Sequence, residues 1–136
     1  MKKIRLNTKE NLGMSGNKIV LDTNILVYLL EGNEDLKNIL ADFSVYISFI
    51  SEMELLAKPN LKDSDKKAIL ALLRDTYIID MNQEIKDKTV NNKINFGLKL
   101  PDGFILATSQ WLQLPLLTSD REFEKAEESE SNIIIY

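Results

Sequence analysis

The segment IVLDTNILVYLL (residues 19–30) decides the fold, because a single aspartate joins a short apolar strand to a helical apolar pattern. The continuous apolar run at 19–21 is typical of a strand buried on both faces of a parallel sheet. Asp22 follows at its carboxyl end, where open α/β sheets bind their ligands. A charged side chain there costs desolvation energy unless a partner compensates it. Residues 116–120 (LLTSD) repeat the arrangement, and two strand-end acids predict a cation site.

The missing residue types narrow the chemistry of such a site. The 136 residues, 44% hydrophobic and 28% charged, suit one globular domain with its own core. The chain has no cysteine and no histidine, which excludes disulfides, thiolate nucleophiles, Ser-His and Cys-His catalytic pairs and cysteine-based zinc sites. Only oxygen ligands remain for a metal, and these favour Mg²⁺ or Mn²⁺.

Charge and hydropathy indicate the cellular setting. A net charge of −4 argues against a large basic surface for binding nucleic acid. It does not exclude a nuclease, because carboxylates clustered at a metal site also lower the formal charge. No run approaches the ~18 apolar residues of a membrane span, and no apolar segment follows the basic residues near the N-terminus. We therefore expect a cytoplasmic protein with no membrane partner. Residues 1–17 are predicted as an N-terminal lead, disordered over 1–13, and residues 18–136 as the domain.

Strand and helix patterns alternate along that domain. Strands separated by helices indicate βαβ units with right-handed crossovers, and hence a parallel sheet covered by helices on both faces. The predicted strands are 19–21, 45–47, 77–79, 116–118 and 133–135, and the helices between them include 23–31, 52–58, 82–96, 101–111 and 122–126.

A third acid, Asp102, is predicted to lie near the two strand-end acids. It begins a helix behind Pro101, where free backbone N–H groups and the helix dipole stabilise a carboxylate. Asp22, Asp102 and Asp120 can each be ordinary helix caps. Three caps converging on one edge of a sheet favour a shared site instead.

The helix after the second strand supplies a fourth acid. At ~100° per residue, Ile50, Met53 and Ala57 share one face of this helix. Glu54 lies on the edge of that face, so it is predicted to face the protein and to need a partner such as a metal. Glu52 points away from the face and is predicted to be an ordinary solvated residue.

Four segments in order resemble a PIN domain, and more narrowly the VapC-like toxins of bacterial and archaeal toxin–antitoxin modules. They are IVLDTNILVYLL (19–30), ISFISEMELLAKP (47–59), LPDGFILATSQWLQLPLLTSDREF (100–123) and NIII (132–135). Each motif is weak alone, but the four at these spacings cover nearly the whole chain from Lys18 onward. The resemblance implies a three-layer α/β/α PIN-like fold with a central, mostly parallel sheet of four to five strands.

The resemblance also implies the site residues. The first acid is Asp22 in Asp-Thr-Asn, and the second is Glu54, three residues after Ser51. The third is Asp102 in Pro-Asp-x-x-Ile/Leu-x-Ala-Thr, and the fourth is Asp120 in Thr-x-Asp. Together they would hold Mg²⁺ or Mn²⁺.

Several neighbouring positions bear on substrate contacts. The resemblance implies that Asn24 and Thr118 are polar residues that support the acidic site. Many relatives carry asparagine where this chain has Ser119, and Glu122 is the candidate for the further acid that many carry after the fourth. Lys99 lies in the segment just before Asp102, and in many relatives this segment is rich in arginine or glycine. These departures concern substrate contacts rather than the metal site.

The activity implied is metal-dependent endoribonuclease action. A bound cation lowers the pKa of water and stabilises charge that develops on phosphate. Since no histidine is present, metal-activated water with a carboxylate as proton acceptor is the predicted route. The partners implied are an RNA substrate, a protein antitoxin and a second copy of the chain. Exposed apolar positions at Leu29, Leu36 and Leu40 are predicted to supply a docking groove.

Three other interpretations stay open. A non-catalytic interaction module of PIN architecture would not need the intact set of four acids. A haloacid-dehalogenase-like phosphatase would need a second acid where Asn24 stands. A response-regulator receiver could use Asp80 as phosphoacceptor, but the lysine expected after a later strand is missing.

Overall fold

The computed structural model describes residues 4–6, 17–129 and 131–136. The strands in these ranges form one sheet, and every neighbouring pair is parallel, as predicted. The strands are β1 (Ile4–Leu6), β2 (Asn17–Leu21), β3 (Phe43–Ser48), β4 (Tyr77–Ile79), β5 (Leu116–Thr118) and β6 (Ile133–Ile135). Their order across the sheet is β1-β4-β3-β2-β5-β6.

Helices connect the strands at the positions that the apolar periodicity predicts. They are α1 (Thr23–Leu30), α2 (Glu34–Leu40), α3 (Phe49–Leu56), α4 (Asp63–Arg74), α5 (Gln83–Phe96), α6 (Leu100–Leu112) and a 3₁₀ helix (Arg121–Ala126). None of the helices in the described part of the chain is both long and apolar enough to cross a membrane.

Alternate residues of each central strand pack into two separate cores. On β2, Ile19 and Leu21 pack with α1, α2 and α4, whereas Val20 packs with α5 and α6. All three side chains are buried, which explains why the strand is apolar without alternation. Trp111 of α6 is also buried and belongs to the second core. The helices thus cover both faces of the sheet, and the predicted three-layer α/β/α architecture is confirmed.

The strand order reverses between β2 and β5. From β2 the chain continues outward to β3 and β4 on one side, and later returns to β5 and β6 on the other. Leu21 of β2 is in register with Leu117 of β5. Asp22, which follows β2, and Thr118, the last residue of β5, therefore meet at the carboxyl edge of the sheet. In open parallel sheets this switch point is where ligands bind.

A left-handed turn connects α5 to the helix that carries Asp102. α5 ends at Gly97, whose φ of +69° lies in the left-handed region that favours glycine. The following Leu98 is buried in the core and anchors the connection. Lys99 is then the N-cap of α6, and Pro101 lies in its first turn, so Asp102 is presented at the start of this helix.

The N-terminal lead differs in part from its prediction. Residues 4–6, predicted to be disordered, form β1 and pair in parallel with Tyr77–Ile79 at the edge of the sheet. This strand adds a sixth to the predicted four or five. A three-residue strand carries too little periodicity to be recognised in a polar segment. The rest of the predicted disordered lead, residues 1–3 and 7–13, lies outside the described residues.

The predicted docking groove on the early helices is wrong. Leu36 is fully buried and Leu40 is 7% exposed, and both belong to the core between the helices and the sheet. Leu29 is partly buried against the same core. The short helix α2 packs its leucines against α1 and β3, so its exposed apolar residue is Ile39 instead.

Candidate active site

Asp22 is the most buried of the four predicted acids. It caps α1, and its Oδ1 accepts the backbone N–H of Thr23 at 2.8 Å. Its Oδ2 accepts the hydroxyl of Thr118 at 2.7 Å, a bond between residues 96 positions apart. Only 4% of Asp22 is exposed. Burial raises the pKa of its carboxyl, although both hydrogen bonds act in the opposite direction.

The hydroxyl of Thr118 connects the two strand-end acids. It donates to Asp22 and accepts the backbone N–H of Asp120 at 3.0 Å. Asp120 Oδ1 in turn caps the 3₁₀ helix by accepting the backbone N–H of Glu122 at 2.9 Å. Since Thr118 is fully buried, its hydroxyl cannot turn away to water. One threonine therefore connects the carboxylate of Asp22 to the backbone of Asp120.

Glu54 reaches the same region through Thr23. The Thr23 hydroxyl donates to Glu54 Oε1 at 2.6 Å and lies 2.9 Å from the hydroxyl of Ser51. Because Thr23 directly follows Asp22, this contact brings the carboxylate of Glu54 beside the buried carboxylate of Asp22. Sequence reasoning assigned no role to Thr23, although its place directly after Asp22 is the signal that could have identified it.

The predicted face of α3 is wrong, although Glu54 still contacts Thr23 next to Asp22. Glu54 is exposed and Met53 is 50% exposed, whereas Glu52 is only 7% exposed. The buried residues of α3 are Ser51, Glu52 and Leu55. Apolar character marks the inward face only where a helix covers an apolar core, and the first turn of α3 lies over the polar carboxyl edge of the sheet. Glu54 borders an open site rather than a buried one.

Asp102 shares an electrostatic environment with the other three acids. Its pKa is raised to about 6, first by burial and then by the charges of Asp22, Asp120 and Glu54, while Lys99 opposes the rise. The charges of Asp120 and Glu54 also contribute to the raised pKa of Asp22. Four carboxylates from four different connections of the chain thus repel one another across the carboxyl edge of the sheet.

The donor set fits a hard divalent cation. Carboxylate oxygens are the ligands that Mg²⁺ and Mn²⁺ prefer, and a bound cation would relieve the repulsion that adds to the effect of burial on these pKa values. As the side chains lie, no three of the described acids are close enough together to hold one ion. Asp22, Glu54 and Asp120 each turn an oxygen toward a donor of the protein. Cation binding therefore requires rotation of these side chains.

Two other residues named from the sequence have different surroundings. Asn24 is exposed on the first turn of α1, and the structure gives it no contact with the acids within the described residues. Glu122 is exposed and forms an ion pair with Lys125. The hydrogen bond and charge of Lys125 lower the pKa of Glu122, and the charge of Lys99 adds to this effect.

The sequence matches the family model described as the PIN domain over residues 19–129. The chain therefore belongs to the PIN domain family, and the match includes all four acids. None of the curated proteins matches the chain.

Solved structures of toxin–antitoxin complexes contain chains of the same fold. One, from Klebsiella pneumoniae, has a chain 30% identical to this one, covering 85% of this chain and 95% of that chain with a TM-score of 0.73. VapBC2 from Rickettsia felis, bound to a promoter DNA fragment, gives 16% identity, coverages of 88% and 98%, and a TM-score of 0.73. VapBC-1 from nontypeable Haemophilus influenzae gives 22% identity, coverages of 87% and 97%, and a TM-score of 0.67. The predicted resemblance to VapC-type PIN domains is confirmed.

The raised pKa of Asp102 predicts a pH-dependent stability of the metal-free protein. Because its folded-state pKa is about 6 and its ordinary value 3.8, its favourable contribution is complete below pH 3.8 and is lost as the pH rises through 6. We therefore expect Asp102→Asn to melt about 3 °C above the unsubstituted chain at pH 7.5 in EDTA, allowing for its partial exposure. The difference should shrink toward pH 4.5. Thermal melts across this range measure it, and an Asn variant that is less stable at pH 7.5 would contradict it.

Proposed function

We propose that this chain is a Mg²⁺- or Mn²⁺-dependent endoribonuclease and acts as the toxin of a toxin–antitoxin module. The observation that carries the proposal is the convergence of four carboxylates, where burial and then mutual repulsion raise the pKa of Asp22 and Asp102. Such perturbed groups cluster at functional sites, because an unfavourable charge arrangement needs a ligand or a reaction to offset it. Membership of the PIN family and 30% identity to a chain of a toxin–antitoxin complex support the proposal.

The residues of the site divide into ligands and supports. The cation would be held by Asp22, Glu54, Asp102 and Asp120. When bound, it would lower the pKa of water and offset negative charge on the phosphate. Thr118 fixes Asp22 relative to Asp120 through its two hydrogen bonds. Since the chain has no histidine, one of the carboxylates accepts the proton that the attacking water releases.

We also propose a protein antitoxin as partner, a homodimer as the assembled form, and the cytoplasm as the location. The antitoxin is supported by the solved structures of similar chains, which are toxin–antitoxin complexes. The cytoplasm follows from the proposed RNA substrate. Light scattering of the purified chain distinguishes one copy from two.

Metal removal tests the enzymatic proposal directly. We expect the purified chain to cleave single-stranded RNA with Mg²⁺ or Mn²⁺, to lose this activity in EDTA, and to regain it when excess cation is restored. End-labelled RNA resolved on a denaturing gel measures the cleavage. Persistent cleavage in EDTA would exclude the metal-dependent mechanism. A chain that binds RNA or a partner protein but cuts nothing with either cation would favour the non-catalytic PIN module instead.

A further inference from the structure

A cavity beside the acids carries both signs of charge. Its volume is about 200 Å³, and it opens between the start of α6 and the 3₁₀ helix. Asp102 and Asp120 contribute to its wall, so it is continuous with the proposed cation site. The complete lining is Gly97, Leu98, Lys99, Asp102, Asp120, Glu122 and Lys125.

An acidic site presents a physical difficulty for an RNA substrate. RNA carries a negative charge on every phosphate, and the net charge of the chain is −4. A bound cation offsets part of the repulsion at the reacting phosphate. The neighbouring phosphates still need positive charge, which proteins supply with lysine or arginine.

Lys99 is placed to supply such a charge. It is the N-cap of α6, and its side chain makes no capping hydrogen bond there. The residue is exposed, so its ammonium group can meet a ligand from solvent. Its charge acts on both Asp102 and Glu122, which places it between the proposed cation site and the 3₁₀ helix.

Lys125 lines the same cavity from the other side, but an acid already engages it. Its Nζ lies 2.5 Å from Glu122 Oε2, one turn earlier on the 3₁₀ helix. Both side chains are about half exposed. An exposed ion pair of this kind contributes little to stability, so a phosphate can compete for the ammonium group at low cost.

We propose that Lys99 and Lys125 bind an RNA phosphate next to the one that is cleaved, and that Glu122, through its ion pair with Lys125, competes with that phosphate. This inference rests on the proposed ribonuclease function, since it names how the same site holds its substrate. It assigns Lys99 and Lys125 to substrate binding, and it assigns Glu122 to competition for Lys125 rather than to the cation.

Lys99 and Glu122 have opposite charges, so their replacement should change the Kd for RNA in opposite directions. RNA binding is measured by fluorescence anisotropy of a labelled single-stranded oligonucleotide in EDTA, with Asp22→Asn as the common background so that neither cation nor cleavage interferes. Lys99→Gln should raise Kd about 5- to 10-fold at low salt and lower the slope of log Kd against log salt by about 0.7. Lys125→Gln should act in the same direction, whereas Glu122→Gln should lower Kd.

Lys67→Gln is the matched control, because Lys67 is an exposed lysine on α4, in the opposite helical layer. It should leave both Kd and the salt slope unchanged. In a chain that retains Asp22, assayed with cation, Lys99→Gln should raise KM for RNA cleavage and leave kcat nearly unchanged. A merely structural role of Lys99 would not separate the two constants.

The outcomes separate this inference from the proposed function. Lysine variants that bind RNA like the parent, in a chain that does cleave RNA, would overturn the phosphate site and leave the ribonuclease standing. A parent that fails to bind RNA, or a Glu122→Gln variant that binds more weakly, would also overturn it. The predicted shifts in Kd, in a chain that cleaves nothing with either cation, would support the phosphate site and contradict the ribonuclease.

Discussion

Asp22→Asn is expected to reduce metal-dependent RNA cleavage by more than about 100-fold, because loss of a ligand charge exceeds the 10- to 100-fold effects typical of groups that only support ligands. Asparagine keeps the shape of the side chain, and its oxygen can still accept the Thr23 N–H that Asp22 accepts at 2.8 Å. The buried carboxylate has a raised pKa, so its removal should leave thermal stability equal or higher. Initial rates on labelled RNA, together with thermal melts, measure both effects.

Asp42→Asn is the matched control for this substitution. Asp42 is exposed and lies between α2 and β3, away from the carboxyl edge of the sheet, so its replacement should change neither rate nor melting temperature. If the chain is a toxin, its induced expression alone should arrest growth, Asp42→Asn should do the same, and Asp22→Asn should not. A folded Asp22→Asn protein that cleaves RNA at the parent rate would contradict the assigned site.

Glu54→Gln is expected to lower cleavage by at least about 10-fold and to raise the cation concentration needed for half-maximal rate. Glutamine retains an oxygen that can accept the Thr23 hydroxyl, now bound at 2.6 Å by Glu54 Oε1, so the change removes charge while keeping the contact. The effect should therefore come from weaker cation binding and not from a displaced side chain. Cleavage measured against Mn²⁺ concentration resolves the two parameters.

Glu52→Gln, two residues away on the same helix, provides the contrast. Glu52 is 7% exposed, so its replacement acts inside the protein, where loss of a charged group's interactions lowers stability. We expect a melting temperature lower by about 3 °C, with an unchanged Mn²⁺ dependence well below that temperature. An inactive but stably folded Glu52→Gln, beside a fully active Glu54→Gln, would move the acidic ligand to position 52.

The arrangement of the acids at the strand ends was predictable because parallel sheets leave few alternatives. A run such as residues 19–21 has to be central and buried, so the residue after it must emerge at the carboxyl edge. The same holds for Leu116–Thr118, which places Asp120 beside Asp22. In these cases the local pattern and the tertiary structure impose the same position on the side chain.

The orientation of α3 was not predictable by the same argument. Helical periodicity locates an inward face by its apolar residues, and α3 instead buries Ser51 and Glu52 while exposing Met53. The buried leucines of α2 and the exposed Glu54 show the same weakness, since residue type does not reveal what a short helix packs against. The cavity with Lys99 and Lys125 depends on two connections that meet only in the folded chain.

The bond between Thr118 and Asp22 spans 96 positions of the sequence, and this has a consequence during protein synthesis. A ribosome releases the first acid long before it has added the residues of β5, and the fourth acid, Asp120, follows later still. Until β5 has left the ribosome and paired with β2, the nascent chain lacks half of the contacts that orient its carboxylates. If the chain is the proposed ribonuclease, it could not cut RNA, including the message from which it is being read, until residues 116–120 had left the ribosome and β5 had paired with β2.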